Sequence, residues 1–220
     1  MPNDISEKLQ RKLDDGREFR DMEIRAEGET TDEMVVEGYA TTFDEPYLLW
    51  SEPGFRVFEK VDRDAFAGTD MTDVIMQYDH EGRVFARLSN NTLALHTDDH
   101  GLHVRALLSG TELGRQLYQE IKGGYTNKMS FAFTVAEDAR DIQENKDTNE
   151  TTITRTIKRI GKLYDVSAVS LPANPATAIA ARTYGEGAIA EAKAERQRAA
   201  EEKEHIERLK AKIRILAMSE

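Results

Sequence analysis

Between Asp73 and Leu108 the chain offers four apolar-rich segments at short spacing: Asp73–His80, Arg83–Leu88, Thr92–His96 and Gly101–Leu108. Only brief polar breaks such as Asn90-Asn91 and Asp98-Asp99 separate them. Strands at that rhythm, joined by tight polar turns, imply an antiparallel meander and hence a sandwich or barrel. Further strand-like segments lie on either side. Met22–Ala26 and Met34–Phe43 are joined through a polar turn around Gly28-Glu29-Thr30, and Phe55–Val61, Thr151–Ile160 and Leu163–Leu171 follow. Pro172 ends the last of these, because proline lacks the donor a sheet ladder needs.

The connections are equally readable. Phe43–Pro53 holds Pro46 and Trp50 and reads as a loop with an anchoring aromatic. Asp62–Phe66 reads as one helical turn capped by Asp62. Residues 137–150 are acidic or polar with no apolar rhythm and are expected to form a mobile surface loop. Ser109–Lys122 carries the best helix signal of the central region. Ser109 and Glu112 fit a capping box, Leu113, Leu117 and Ile121 form an apolar stripe, and Gly123 suits the C-cap.

Both ends differ from the middle. Residues 1–21 are charged, with only Ile5, Leu9 and Leu13 at helical spacing, and are expected to form a loosely held helical arm or a docking peptide. The central unit runs over 22–184. Residues 185–220 are rich in Ala, Glu, Lys and Arg and form a charged helical tail. There Ile206, Leu209, Ile213 and Leu216 keep a three-four-three rhythm for two heptads only, which suits a short pairing element better than a long coiled coil.

The formal net charge of -11 argues against non-specific binding to nucleic acid or anionic membrane and leaves proteins as the expected partners. No cysteine is present, which removes disulfides, thiolate-bound zinc and thiol catalysis. No long apolar run suggests a membrane span or signal segment.

The chemistry centres on Asn127-Lys128-Met129-Ser130-Phe131-Ala132-Phe133. Met129, Phe131 and Phe133 fall on one side of a period-two pattern, and Ser130 and Ala132 on the other. Bulky neighbours would hold the Ser130 hydroxyl rigidly, as a nucleophile requires, although a serine in a strand can equally serve packing alone. Of five histidines, His205 sits in the solvated tail. His96, His100 and His103 are split by a turn and match no ligand spacing, so no metal site or other cofactor is expected. His80 ends an apolar strand, where a side chain meets both a rigid scaffold and solvent, as a general base must.

Three of these stretches occur in an order that resembles the prohead (capsid maturation) proteases of tailed phages, themselves related in fold to herpesvirus assembly proteases. They are Tyr78-Asp79-His80-Glu81, Met129-Ser130-Phe131, and Leu163-Tyr164-Asp165-Val166-Ser167-Ala168-Val169-Ser170-Leu171-Pro172-Ala173-Asn174-Pro175. The likeness spans about residues 22–182. It implies an α+β, mainly antiparallel β fold, namely a herpesvirus-protease-like β-barrel flanked by helices and followed by the long helical tail. It further implies a serine endopeptidase with Ser130 as nucleophile, His80 as base and Asp165 as the third member.

Family members commonly have an acid at the Asp165 position, usually the longer Glu. Herpesvirus relatives use a second histidine there, and none occurs between His103 and His205. Asp79 competes for the role but should project to the other side of its strand, and Asp165 as an ordinary turn-facing acid stays open. The loop Pro172–Pro175 lacks the arginine that herpesvirus relatives use for the oxyanion, so backbone donors or others must serve.

The resemblance implies as substrate and partner the major capsid protein with its scaffolding region, together with self-cleavage of the terminal segments. The setting would be the immature capsid in the host cytoplasm, with possible self-association through the C-terminal helix. A catalytically inactive scaffold-binding module is the alternative, and the tail could instead be a delivery element. A small-ester hydrolase is disfavoured by the lack of Gly-x-Ser-x-Gly.

Overall fold

The computed structural model describes residues 6–27, 34–145, 147–170 and 175–217. The turn expected around residues 28–30 lies outside them. The elements in chain order are α1 (Glu7–Asp14), β1 (Glu18–Glu27), β2 (Val35–Thr42), β3 (Tyr47–Glu52), β4 (Phe55–Val61), β5 (Ile75–Tyr78) and β6 (Glu81–Arg87). They continue with β7 (Leu93–Thr97), β8 (Gly101–Leu107), α2 (Glu112–Lys122), β9 (Lys128–Asn145), β10 (Glu150–Val169) and α3 (Pro175–Ala217).

One sheet holds all ten strands in the order β3-β4-β10-β9-β1-β2-β8-β7, with β5 and β6 attached beside β10. β10 is its hub. Its threonines, isoleucines and valines favour extended backbone, because branching at Cβ suits a pleated, packed surface. It pairs antiparallel with β9 along almost its whole length, parallel with β4 through Thr151–Ile157, and parallel with β5 through Asp165–Ala168. The sheet is therefore mixed rather than purely antiparallel. β3 and β7 are its two ends and do not pair, so the expected barrel does not close through hydrogen bonds. A strand of twenty residues explains how two short strands can share one neighbour: β4 and β5 follow each other along the same edge.

The main core fills one side of the sheet. Met129, Phe131 and Phe133 of β9 meet Val166 and Ala168 of β10, Met76 of β5, Leu102 and Val104 of β8, and Leu117 and Ile121 of α2. α2 begins later than the capping-box pattern indicates. Thr111, not Ser109, is the N-cap, and its side chain accepts from the Gly114 N–H. A Cβ on Gly114 would stand 2.2 Å from the Leu108 carbonyl oxygen, so the first turn packs too closely for any larger residue.

α3 starts at Pro175, ahead of the expected tail, and its first half is part of the folded unit. Ala188, Ile189 and Ala192 pack on Val57 of β4 and Ile153 of β10, with Trp50 and Tyr184 against them. Trp50 belongs to β3, so the stretch read as a loop is a short edge strand. Gly185 permits the contact, since a Cβ there would meet Trp50 side-chain atoms at 2.5 Å. The second half of α3 is solvated. Ile206, Leu209 and Ile213 are exposed, and the Leu216 side chain lies outside the described residues.

Residues 137–150 overturn the loop expectation. They continue β9 and turn through Asn149 into β10, forming a hairpin arm that reaches past the core. The arm reads as a loop because its β9 side is solvated, so no apolar alternation is written there. Ion pairs take over that role. Arg155 joins Asp138 at 2.6 Å, Arg56 joins Glu150 at 2.8 Å, and Arg140 and Arg196 of the sheet and α3 reach Glu191 and Glu144.

Candidate active site

Ser130, Ala132, Asp165 and Ser167 lie on the face of the sheet opposite the main core. Alternation along β9 sends Met129, Phe131 and Phe133 into that core, so Ser130 and Ala132 point the other way. Ser130 sits across from Ser167 of β10 on one side and Asp21 of β1 on the other. Ala132 sits across from Phe19 and Asp165 in the same fashion. Neighbouring strands stand ~5 Å apart, so these side chains form one tight row over three strands.

His80 enters from the β5–β6 hairpin. Tyr78 and Glu81 pair, leaving Asp79 and His80 as a two-residue loop. Both have positive φ, 49° and 60°. Left-handed backbone at both positions suits the twist of a two-residue hairpin and is normally taken by Asn-Gly. A non-glycine residue so placed costs about 1–3 kcal/mol and persists only when its surroundings over-determine it. Here they do. The Asp79 N–H donates to the Ala168 carbonyl at 2.9 Å, and the Asp79 carboxylate accepts from the Ser170 N–H at 3.0 Å and hydroxyl at 2.9 Å. Asp79 thus ties the hairpin to the end of β10 and faces away from the imidazole.

The imidazole of His80 bonds through Nδ1 to Asp165 Oδ1 at 2.5 Å. The edge of Phe19 meets the same ring, with centroids 4.7 Å apart. Phe19 belongs to β1 and Asp165 to β10, and β9 runs between them, so the imidazole lies over the strand that carries Ser130. With a carboxylate at Nδ1, the neutral ring carries its proton on Nδ1 and leaves Nε2 as the free base. Nε2 of His80 and Oγ of Ser130 are both buried and have no hydrogen-bond partner among the described residues. No hydrogen bond yet joins them. Such bonds are commonly long before substrate binds and tighten afterwards.

Burial alone would raise the Asp165 pKa, and it is the largest influence on this carboxyl. The attraction and hydrogen bond of His80, helped by Lys12 and the Ser167 hydroxyl at 2.9 Å, outweigh it, so the pKa ends below the ordinary carboxylate range. Glu59 is lowered as well: burial opposes ionisation, but Arg20, Arg155 and Tyr47 overcome it. A folded pKa below the unfolded one stabilises the fold above the unfolded value, and that contribution disappears as pH falls through the folded one. Urea midpoints are therefore expected to stay level from about pH 7 to 5 and to drop below about pH 4. A midpoint that rises on acidification would contradict both assignments.

Of the three residues singled out in the sequence, His80 and Asp165 are in direct contact, and Ser130 occupies the adjoining strand on the same face. Asp79 is turned to Ser170 instead. Ser167, Phe19 and Lys12 escaped notice. Ser167 was open to detection, lying two residues from Asp165 on a strand of period two, whereas Phe19 was hidden inside a stretch read as a polar arm.

The histidines His96, His100 and His103 cluster around Tyr39 on another part of the sheet, with His103 3.5 Å from Glu37. No three metal-ligating side chains are arranged to hold an ion among the described residues. The loop Pro172–Asn174, where oxyanion donors were sought, lies outside the described residues. A cavity of about 540 Å³ is lined by Arg20, Asp21, Tyr47, Trp50, Phe131 and Ala181; none of Ser130, His80 and Asp165 lines it.

A family model described as the caudovirus prohead serine protease matches residues 20–190. The chain belongs to the prohead serine proteases. Comparison with curated proteins and with solved structures found no match. The matched span of this prohead protease begins at Arg20 within β1 and ends within the packed first half of α3, so it contains β2 to β10 and most of β1 and excludes α1 and the solvated helix end. No helix among the described residues is long and apolar enough to cross a membrane.

Proposed function

We propose that the chain is the endopeptidase that cleaves the scaffolding portion of the capsid protein, and itself, inside the immature capsid. Ser130 is the nucleophile, His80 the general base and Asp165 the residue that orients and charges-compensates the imidazole. The observation that carries this reading is the buried His80–Asp165 pair poised over the serine strand, with Ser130 Oγ and His80 Nε2 both left unpartnered. A buried hydroxyl and a buried ring nitrogen without partners are costly, and such cost is tolerated where chemistry needs it.

The steps follow from that geometry. His80 Nε2 takes the Ser130 proton while Oγ bonds to the peptide carbonyl carbon, and the carbonyl oxygen becomes an oxyanion. Asp165 stabilises the imidazolium through the Nδ1 proton without taking it. Collapse of the tetrahedral species breaks the C–N bond, and the leaving amine receives the proton from Nε2. Water then repeats the sequence on the acyl-serine and restores Ser130. The substrate is a protein segment, in keeping with the prohead serine protease family to which the chain belongs.

Co-expression with the capsid protein of the same phage, read by intact-mass spectrometry, tests the assignment. Wild type is expected to yield a shortened capsid protein, and Ser130→Ala the full-length form, a loss of about 10⁴-fold or more. Shortening by both would return the chain to the alternative, a capsid-assembly protein of this fold without peptidase activity.

A further inference from the structure

The segment before β1, expected to be loosely held, lies across the catalytic row. α1 is anchored at three points on it. Its N-cap Ser6 donates to the Glu81 carboxylate, Lys12 Nζ donates to the His80 carbonyl oxygen, and Leu9 is buried against Phe19 and Ala132 with Leu13 and Tyr164 around it. Ala132 is two residues from Ser130 on the same face, and Phe19 touches the imidazole. Ser130 and His80 are wholly inaccessible and Asp165 is 2 % exposed. A peptide must bring its carbonyl carbon within ~3 Å of Ser130 Oγ, so a chain in this state cannot receive one.

We propose that α1 is a built-in plug whose Leu9 fills the subsite that later takes an apolar side chain of the substrate. This rests on the reading of Ser130 and His80 as catalytic. The seat has the chemistry of a specificity pocket: the Phe19 ring, the Ala132 methyl and the Tyr164 ring form an apolar depression one residue step from the nucleophile. The plug has the chemistry of a reversible one. Its eight residues are too few for a stable isolated helix, and only Leu9 is deeply buried, so leaving the seat melts it. Asp15, Gly16 and Arg17 link it to β1, with Gly16 at a φ of 77° as the pivot. Displacement up to that point leaves the sheet intact.

The test uses the full chain and a fluorophosphonate reagent, which phosphonylates an activated serine with loss of fluoride. Leu9→Asp is expected to label at residue 130 about 10- to 100-fold faster than wild type, the population shift that exposing one buried leucine supports. Leu9→Ala should fall between them and guards against misfolding of the charged variant. Labelling of wild type at residue 130 with no acceleration in either variant would overturn the plug and leave the serine assignment standing. Absence of label at residue 130 in every variant would overturn both. Leu9→Asp presented with a peptide mixture should favour Leu, Ile or Met over Asp or Lys at one substrate position. A flat profile would overturn the subsite.

Discussion

Asp165→Asn is expected to lower peptidase turnover by about 10⁴-fold, and also to lower the urea midpoint at neutral pH, because the carboxylate that His80 and Lys12 hold ionised is lost. The amide is nearly isosteric, and an NH2 group in the place of Oδ1 can donate one hydrogen to Nδ1 and the other to the Ser167 hydroxyl oxygen, so the packing of β10 against β5 is preserved. What changes is the proton on the imidazole. A carboxylate fixes it on Nδ1, whereas an amide can present its own N–H to Nδ1 and place the proton on Nε2, where it blocks the base. Capsid-derived peptide cleavage, with Ser130→Ala as baseline, gives the measure. Activity within tenfold of wild type would reduce Asp165 to a fastener of the His80 loop. Asp79→Asn provides the contrast, because Asp79 faces Ser170 and governs only where the hairpin sits.

Glu59→Gln is expected to destabilise the fold by about 3–5 kcal/mol, a drop in melting temperature of roughly 6–20 °C for a chain of this size. Glu59 is fully buried and accepts from Arg20 Nε at 2.6 Å, Arg20 Nη2 at 2.8 Å and Arg155 Nη1 at 2.9 Å, and also from the Tyr47 hydroxyl. Glu18 and Asp138 complete the surroundings of Arg155, and the Tyr184 ring lies 3.9 Å from its guanidinium carbon. Removing the central charge leaves two buried guanidinium groups with only Glu18 and Asp138 to balance them and little water to compensate. The network joins β1, β3, β4, β9, β10 and α3, so its loss loosens the packing of six elements. Denaturant titration of wild type and variant decides the matter. A change below about 1 kcal/mol would mean that water reaches these groups and screens them.

What the sequence discloses depends on whether one residue or a pair carries the information. Ser130 is legible because its bulky neighbours alternate within a single strand, and His80 because it ends an apolar run. The contact of His80 with Asp165 is not a local property. It depends on β5 lying parallel to the last third of β10, and parallel pairing leaves no turn signal in the chain. The β9–β10 arm was missed for a related reason. Its stability resides in cross-strand charges such as Arg155 with Asp138, which read in one dimension as a polar loop. β1 was cut short because Glu18, Arg20 and Asp21 look solvated, yet Arg20 is buried by an acid 39 positions away. The barrel expectation treated a meander as a ring, whereas β10 divides one edge between β4 and β5 and the sheet's two ends stay unpaired with each other.

The row that holds Ser130 joins the earliest described strand of the chain to one made far later: Asp21 stands beside Ser130, more than a hundred residues on. A ribosome must deliver β1 to β8 and α2 before that neighbour arrives, so the pairing is strongly non-local. Nascent chains therefore cannot complete this row until Ser130, and after it Ser167 and Asp165, have been made.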